Sequence, residues 1–419
     1  MLSLADAALA RRDPQLPALP LLFDPAAMAQ LVRRSLPRLE VEAVEAAYVR
    51  YKPHTSCLVG YRLHAAGEAV EFFAKAYPPD ARDKLNKARQ KAKPAVAVLD
   101  DAALVLWPFP HDRALPGLSH LAEPHRRREL LAGLLPDAPQ FWSARLHPLR
   151  YKPERRFVGQ LVAENGDVVV LKAYTAADFE RIAANGRIVA ATGAVRLARQ
   201  VGQSRRHHML ALGWLPGQTL EEAAQRPGFD PAAAHGVGAA LARLHRHSRA
   251  AMAQRFDAAT GLLASANSVA ALCPHLADQT SQLAGKLALE LTASPNPPAL
   301  LHGDFSADQV LLTEAGPVFL DFDRAAPGDP AADLGSFMAQ LELDVLLGHL
   351  PAQSAAALRA ELLAGYQQAA PGGLPGGLSH HLAAGLLLRA AHPFRTRRPD
   401  WPDLMSAIVH RAREIADHA

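Results

Sequence analysis

Cysteine is nearly absent: Cys57 and Cys273 are the only two among 419 residues, far apart and without a CxxC partner. That excludes a disulfide scaffold, a zinc ribbon and an iron–sulfur site, and it points to a reducing compartment. An excess of one charge is lacking too. Forty-five Lys+Arg face 41 Asp+Glu, so +4 is spread over the whole chain, too little for the basic patch that nucleic acid requires. No uncharged apolar run reaches the length of a bilayer span. The start, Met1-Leu-Ser-Leu-Ala-Asp6, carries an acid where a secretory signal has a basic beginning and a long apolar stretch. The expected location is cytoplasmic, with neither membrane nor nucleic acid as a partner. What is present is ordinary globular composition, 49% hydrophobic and 21% charged, enough for a large core, and the length allows two or three domains.

Self-comparison finds an internal repeat. Val49-Arg-Tyr-Lys-Pro53 returns as Leu149-Arg-Tyr-Lys-Pro153. Each copy continues through an alternating apolar stretch (58–63; 157–162), a turn at Gly67 or Asn165-Gly166, and a second strand ending Ala74-Lys-Ala-Tyr77 or Leu171-Lys-Ala-Tyr174. Both are expected hairpins with a lysine near the end of the second strand. A helix-like segment follows (79–91; 176–197), then an apolar stretch closing on Trp and Pro, at Trp107-Pro108 and at Trp214-Leu-Pro216. The pattern is a short β-meander with one inserted helix, duplicated. From Gly217 onward the periodicity predicts helices over 232–245, 269–291, 355–369 and 381–391, with a Pro/Gly break at 371–377. Strand-rich first and helix-rich second implies an α+β architecture.

The densest chemistry lies between His302 and Asp333. Strands over 309–312 and 318–321, separated by a turn, predict a hairpin that returns Asp321 to the neighbourhood of Asp304. Two carboxylates and an amide at the mouth of a hairpin suit phosphoryl transfer. Asp321 and the side-chain carbonyl of Gln309 are hard oxygen ligands for Mg2+, which leaves Asp304 free for the substrate. Asp323 has three open roles: a second Mg2+, a hydrogen bond with substrate, or a turn cap. Asp308 is expected to point away from Gln309, as neighbours in a strand do. His302 is expected to support the loop, and the pairs His207-His208 and His380-His381 to be solvated. Arg389, His392, Arg395, Arg397 and Arg398 form either a solvated helix end or an anion-binding rim.

His302-Gly-Asp304 with an amide five positions on, then Leu320-Asp-Phe-Asp323, then Gly328-Asp-Pro-Ala-Ala-Asp-Leu-Gly335, resembles the aminoglycoside phosphotransferase-like family. The resemblance spans roughly the last two-thirds of the chain, with several motifs in order. It implies a bilobal protein-kinase-like fold, here with a duplicated N-lobe-like unit before a mainly helical C-lobe. By the same resemblance Asp304 is the catalytic aspartate, Gln309 stands at the metal-binding asparagine, Asp321 is the magnesium ligand, and Asp329 and Asp333 belong to a matching stretch. Lys172 matches the strand lysine that holds nucleotide phosphates. Trp214-Leu215, in the segment to Gly217, resembles the hinge beside the nucleotide, and 237–245 the helix before the catalytic loop.

The implied activity is transfer of the γ-phosphate of ATP or GTP to a hydroxyl of a metabolite or sugar-like acceptor, with Mg2+. The implied organisation is a degenerate duplicate over 1–140, a nucleotide-binding lobe over 141–216 and a C-lobe over 217–419. Three departures stand out. Gln replaces Asn at 309, lengthening the ligand by one methylene. The loop Tyr151-Lys-Pro-Glu-Arg-Arg156 has no glycine run, so phosphate contacts fall to side chains such as Arg155. Glu180, eight positions after Lys172, is close along the chain for a lysine–glutamate pair. The first copy has Lys75 at the position matching Lys172 in the repeat but no catalytic segment of its own; it either packs on the active lobe and shapes the acceptor site, or merely extends the sheet or mediates a homodimer. The competing reading is a catalytically inactive nucleotide-binding pseudokinase or scaffold.

Overall fold

The computed structural model describes residues 2–35, 41–65, 68–90, 97–247, 252, 258–293 and 296–419; Gly67 and Lys91, placed by the sequence in the first repeat, lie outside the described residues. The chain divides into two units, one of Met1–Phe179, Gln200–Gly213 and Pro393–Trp401, the other of Glu180–Arg199, Trp214–His392 and Pro402–Ala419.

In the first unit, helices α1 (Leu4–Arg12), α2 (Leu19–Phe23) and α3 (Pro25–Ser35) precede the repeat. The first copy runs β1 (Val41–Lys52), β2 (Ser56–Ala65), β3 (Glu68–Ala76), α4 (Arg82–Gln90), β4 (Ala97–Leu99) and β5 (Leu104–Pro108), as an antiparallel sheet ordered β1-β2-β3-β5-β4. After α5 (Pro124–Leu134) come β6 (Arg145–Lys152), β7 (Arg156–Val162), β8 (Val168–Tyr174), α6 (Ala176–Thr192), the two-residue β9 (Arg196–Leu197), β10 (Gln200–Ser204) and β11 (Met209–Gly213). The second sheet is ordered β6-β7-β8-β11-β10, the same path as the first. The helix expected to reach 197 stops at Thr192, because Gly193 adopts φ 61, the left-handed turn that ends helices.

The duplication extends beyond the sequence match. In copy one, buried Asp13 accepts from the Tyr51 hydroxyl (2.8 Å) and from the backbone N–H of His54 (2.9 Å). In copy two, buried Asp112 accepts from the Tyr151 hydroxyl (2.9 Å) and from the N–H of Glu154 (2.7 Å). His54 and Glu154 share φ 57. Each hairpin turn is thus strained in the same way and held by the same kind of carboxylate. The first unit also takes in the segment of Arg397, which pairs with buried Asp6 at 2.7 Å and lies over the Phe23 ring.

The second unit continues from α6 and β9 with β12 (Gln218–Thr219), α7 (Leu220–Ala224), α8 (Ala233–His245), α9 (Ala258–Leu272), α10 (Ala277–Ala293), β13 (Ala299–Leu301), β14 (Val310–Thr313), β15 (Gly316–Phe319), β16 (Ala326–Gly328), α11 (Ala331–Leu346), α12 (Ala352–Ala369) and α13 (Leu378–Arg389); α14 (His392–Arg395) falls almost wholly in the first unit, and α15 (Trp401–Asp417) returns to the second. The helix expected over 269–291 is two helices: Pro274 lacks an N–H and bars the preceding residue from helical geometry, so α9 ends at Leu272. Helices α8 and α12 cross at reciprocal glycines. A Cβ on Gly238 would meet the Leu362 carbonyl at 2.0 Å, and one on Gly365 the His235 carbonyl at 1.9 Å. Leu241, Phe305, Phe319, Phe337 and Leu362 share one core cluster, so the loops around residues 302–322 are built directly onto packed helices. Among the described residues no helix is long and apolar enough to cross a membrane.

Candidate active site

β13 pairs with β16 and delivers the chain into His302-Gly303-Asp304. The loop is held from below by Asp333, which sits in the first turn of α11 with 1% exposure. Its carboxylate accepts from the N–H of His302 (2.7 Å), the N–H of Gly303 (2.9 Å) and Nε2 of His245 (3.1 Å). Burial alone would raise this carboxyl; the bonds from His245 and the loop outweigh it and hold the group below its usual value. His245 in turn accepts at Nδ1 from the Tyr366 hydroxyl (2.9 Å). Gly303 has φ 79, and a Cβ there would lie 2.2 Å from the Arg324 carbonyl, so both conformation and space demand glycine.

His302 is buried and donates from Nε2 to the Leu320 carbonyl (2.7 Å), its ring 4.5 Å from that of Phe322. It ties the 302–304 loop to the hairpin, the supporting role that the sequence suggested. Asp304 emerges half-exposed, and Arg324 approaches it at 3.8 Å. Nothing in the sequence singles out Arg324; only the return of the chain after the hairpin brings it there.

β14 and β15 form the expected hairpin, with Val310 opposite Phe319. The Leu320 N–H donates to the Gln309 carbonyl (2.8 Å), so Gln309 and the residue before Asp321 are joined at the hairpin's open end. Asp321 itself adopts φ 62, the left-handed region, which aspartate tolerates better than most residues. Residues 307–309 form a 3-10 turn and not the start of the strand. The alternation that was to separate Asp308 from Gln309 therefore does not apply: Gln309 Nε2 donates to Asp308 Oδ2 at 2.7 Å. That bond commits the nitrogen of the amide and leaves its carbonyl oxygen as the unspent acceptor. The turn that follows is clamped by α6, where Arg181 donates to the Asp323 carbonyl (2.5 Å) and Asn185 to the Ala325 carbonyl (3.0 Å).

Of the two histidine pairs, His207, His208 and His380 are partly exposed and only His381 departs from the expected solvation. His381 is buried and faces Asp329 at 3.4 Å, while the His208 ring packs on Phe179 and that of His207 on His120. Asp329 also accepts from Asn296 (2.8 Å) and from the Ala331 N–H (2.8 Å), capping α11. Three of the five basic residues over 389–398 are already paired. Arg389 spends its guanidinium on Gln340, Gly385 and Ser336; Arg397 is committed to Asp6 and Arg398 to Asp400.

In the strand-rich unit, Lys172 lies on β8 opposite Val158 and Leu210. Arg155 is exposed at the β6–β7 turn. Trp214, 42% exposed, and Leu215 follow β11 in the segment leading to β12.

Residues 160–376, just over half of the chain, match the profile of the phosphotransferase enzyme family (APH). The class is thereby defined: an enzyme that transfers phosphoryl groups to hydroxyl acceptors. The chain belongs to the phosphotransferase enzyme family. Among solved structures it is similar to amicoumacin kinase in complex with AMP-PNP, Ca2+ and Ami, at 15% identity and TM-score 0.52, over 70% of this chain and 92% of that one. It is similar also to choline kinase from Cryptosporidium parvum Iowa II, at 10% identity and TM-score 0.51, over 71% and 96%. These likenesses show the fold, which is protein-kinase-like. No curated protein matches the chain.

Proposed function

We propose that this phosphotransferase is an ATP- or GTP-dependent kinase of a small metabolite or sugar-like acceptor. The observation that carries the reading is the loop pair 302–304 and 309–321: one half-exposed carboxylate on a backbone locked by Asp333, beside a hairpin end that presents a second carboxylate and an amide oxygen. A nucleotide analogue and a divalent cation are bound by the similar amicoumacin kinase, which supports the same pair of cofactors here.

The donor set of Asp321 and Gln309 fits Mg2+: both are hard oxygens, and two protein ligands suffice where phosphates and water complete an octahedron. When bound, the ion would neutralise charge developing on the phosphoryl oxygens. Asp304 accepts a hydrogen bond from the acceptor hydroxyl, aims its oxygen in line with the γ-phosphorus and takes its proton as the new bond to phosphorus forms and the bond from the γ-phosphorus to the β-γ bridging oxygen breaks, the nucleoside diphosphate leaving with that electron pair. Arg324 balances the charge of Asp304 before substrate arrives. Lys172 and Arg155 supply cations for the phosphates, and Trp214 and Leu215 an apolar segment for the base. Residues 141–216 are thus assigned to the nucleotide and 217–419 to metal and acceptor.

The test is transfer of labelled γ-phosphate from ATP and from GTP to a panel of amino alcohols, sugars and amino sugars, with and without Mg2+. Mg2+-dependent appearance of a phosphorylated hydroxyl is expected. Tight nucleotide binding without transfer to any member, in folded protein, would support the pseudokinase instead.

A further inference from the structure

The first repeat carries the turn of the second. Pro153 lies on β2 at Gly60, where even a methyl group would come within 3.4 Å of its ring. Tyr151 meets the Phe73 ring edge-on at 6.4 Å. Between these contacts Glu154 accepts from Lys75 Nζ with both carboxylate oxygens, at 2.8 and 2.7 Å, and also from Arg50. The side chains of Arg50, Lys75 and Glu154 are 17%, 16% and 24% exposed, so the pairs are largely shielded from water. Lys75 stands opposite Leu58 on β2, as Lys172 stands opposite Val158 on β7. It is therefore the counterpart of the lysine assigned to the nucleotide, spent here on a carboxylate. The position in the first repeat that matches Glu154 is His54, so the latch runs in one direction only.

We infer that Lys75, with Arg50, is a positioning residue, and that the first repeat works as a dock which fixes the 153–155 turn, and with it Arg155, in the form that receives nucleotide phosphates. The inference rests on the proposed nucleotide role of Arg155. A turn without glycine that holds Glu154 at φ 57 needs its conformation imposed from outside. Asp112 does so at the backbone N–H, and Lys75 and Arg50 do so at the side chain.

Two readouts separate the dock from its consequence: amide exchange at residues 154–156, and the Kd of Mg2+–ATP or Mg2+–GTP by calorimetry alongside steady-state KM and kcat. Lys75→Met and Glu154→Gln should each speed exchange at the turn and raise nucleotide Kd about tenfold, with the acceptor KM changing much less. The double variant should be no weaker than either single one. Unchanged exchange and unchanged nucleotide Kd in both cooperatively melting single variants would overturn the inference. Faster exchange with unchanged Kd would overturn the link to nucleotide. A wild type that binds neither nucleotide would remove the reading beneath it, and the exchange data would then show whether the dock alone stands.

Discussion

Asp304→Ala should lower kcat by about 10³-fold or more while leaving nucleotide Kd within about threefold, the signature of a group that acts on the acceptor in the transition state and not on ground-state nucleotide binding. The carboxylate is 47% exposed and its ion partner Arg324, 66% exposed, is 3.8 Å away. A surface pair of that kind contributes little to folding. Loss of the carboxylate should accordingly leave the melting temperature nearly unchanged. Steady-state kinetics with nucleotide titration of the same preparation reads both quantities. Turnover retained by the variant would remove Asp304 from the mechanism.

Asp333→Ala should act in the opposite way, on the scaffold first. The substitution strands the N–H groups of His302 and Gly303 and the ring of His245 in a buried site. Removing one member of a buried, hydrogen-bonded set typically costs about 3–5 kcal/mol. Denaturant unfolding should register that loss, and turnover should fall as well because the loop that aims Asp304 is no longer held. The pH dependence has a fixed sign. The folded-state pKa of Asp333 is lowered, with burial opposed and outweighed by its hydrogen bonds, so its contribution is fully present above the unfolded value of 3.8 and is lost as pH falls through the folded value. Wild type minus variant stability should therefore shrink only below about pH 4. A difference that shrank on going up from pH 5 to 8 would assign the effect to another group.

The parts of this fold that a sequence shows are those built from local pattern. Arg50-Tyr-Lys-Pro53 recurring at Arg150-Tyr-Lys-Pro153 announces two equivalent hairpins, and the sheets follow the same strand path. The β14–β15 hairpin is legible because a short turn between two apolar strands leaves little freedom in where Gln309 and Asp321 end. What is not legible is carried by distant partners. Asp13 and Asp112 reach their turns from about forty residues upstream; the short match around them, Asp13-Pro-Gln-Leu-Pro-Ala-Leu19 and Asp112-Arg-Ala-Leu-Pro-Gly-Leu118, lies far from the repeated tetrapeptide and gains its meaning only when the fold brings each carboxylate to its turn. The Arg397–Asp6 pair joins the two ends of the chain. Adjacent polar residues mislead for the same reason: His380-His381 looks solvated until α13 packs and buries His381 beside Asp329. Asp308 and Gln309 look like strand neighbours until the strand begins one residue later.

The most direct test of the account is nucleotide-dependent thermal stabilisation, with and without Mg2+, of wild type and Asp321→Ala. A ligand that binds only the native state raises the melting temperature in proportion to the logarithm of its concentration over Kd. With ATP or GTP at about one hundred times Kd, a Mg2+-dependent stabilisation of ~2.7 kcal/mol is expected that is reduced or lost in Asp321→Ala, each shift being read against that protein's own melting temperature without nucleotide because alanine at φ 62 lowers the variant's baseline. No stabilisation of wild type by either nucleotide, or an equal Mg2+ dependence in wild type and variant, would contradict it.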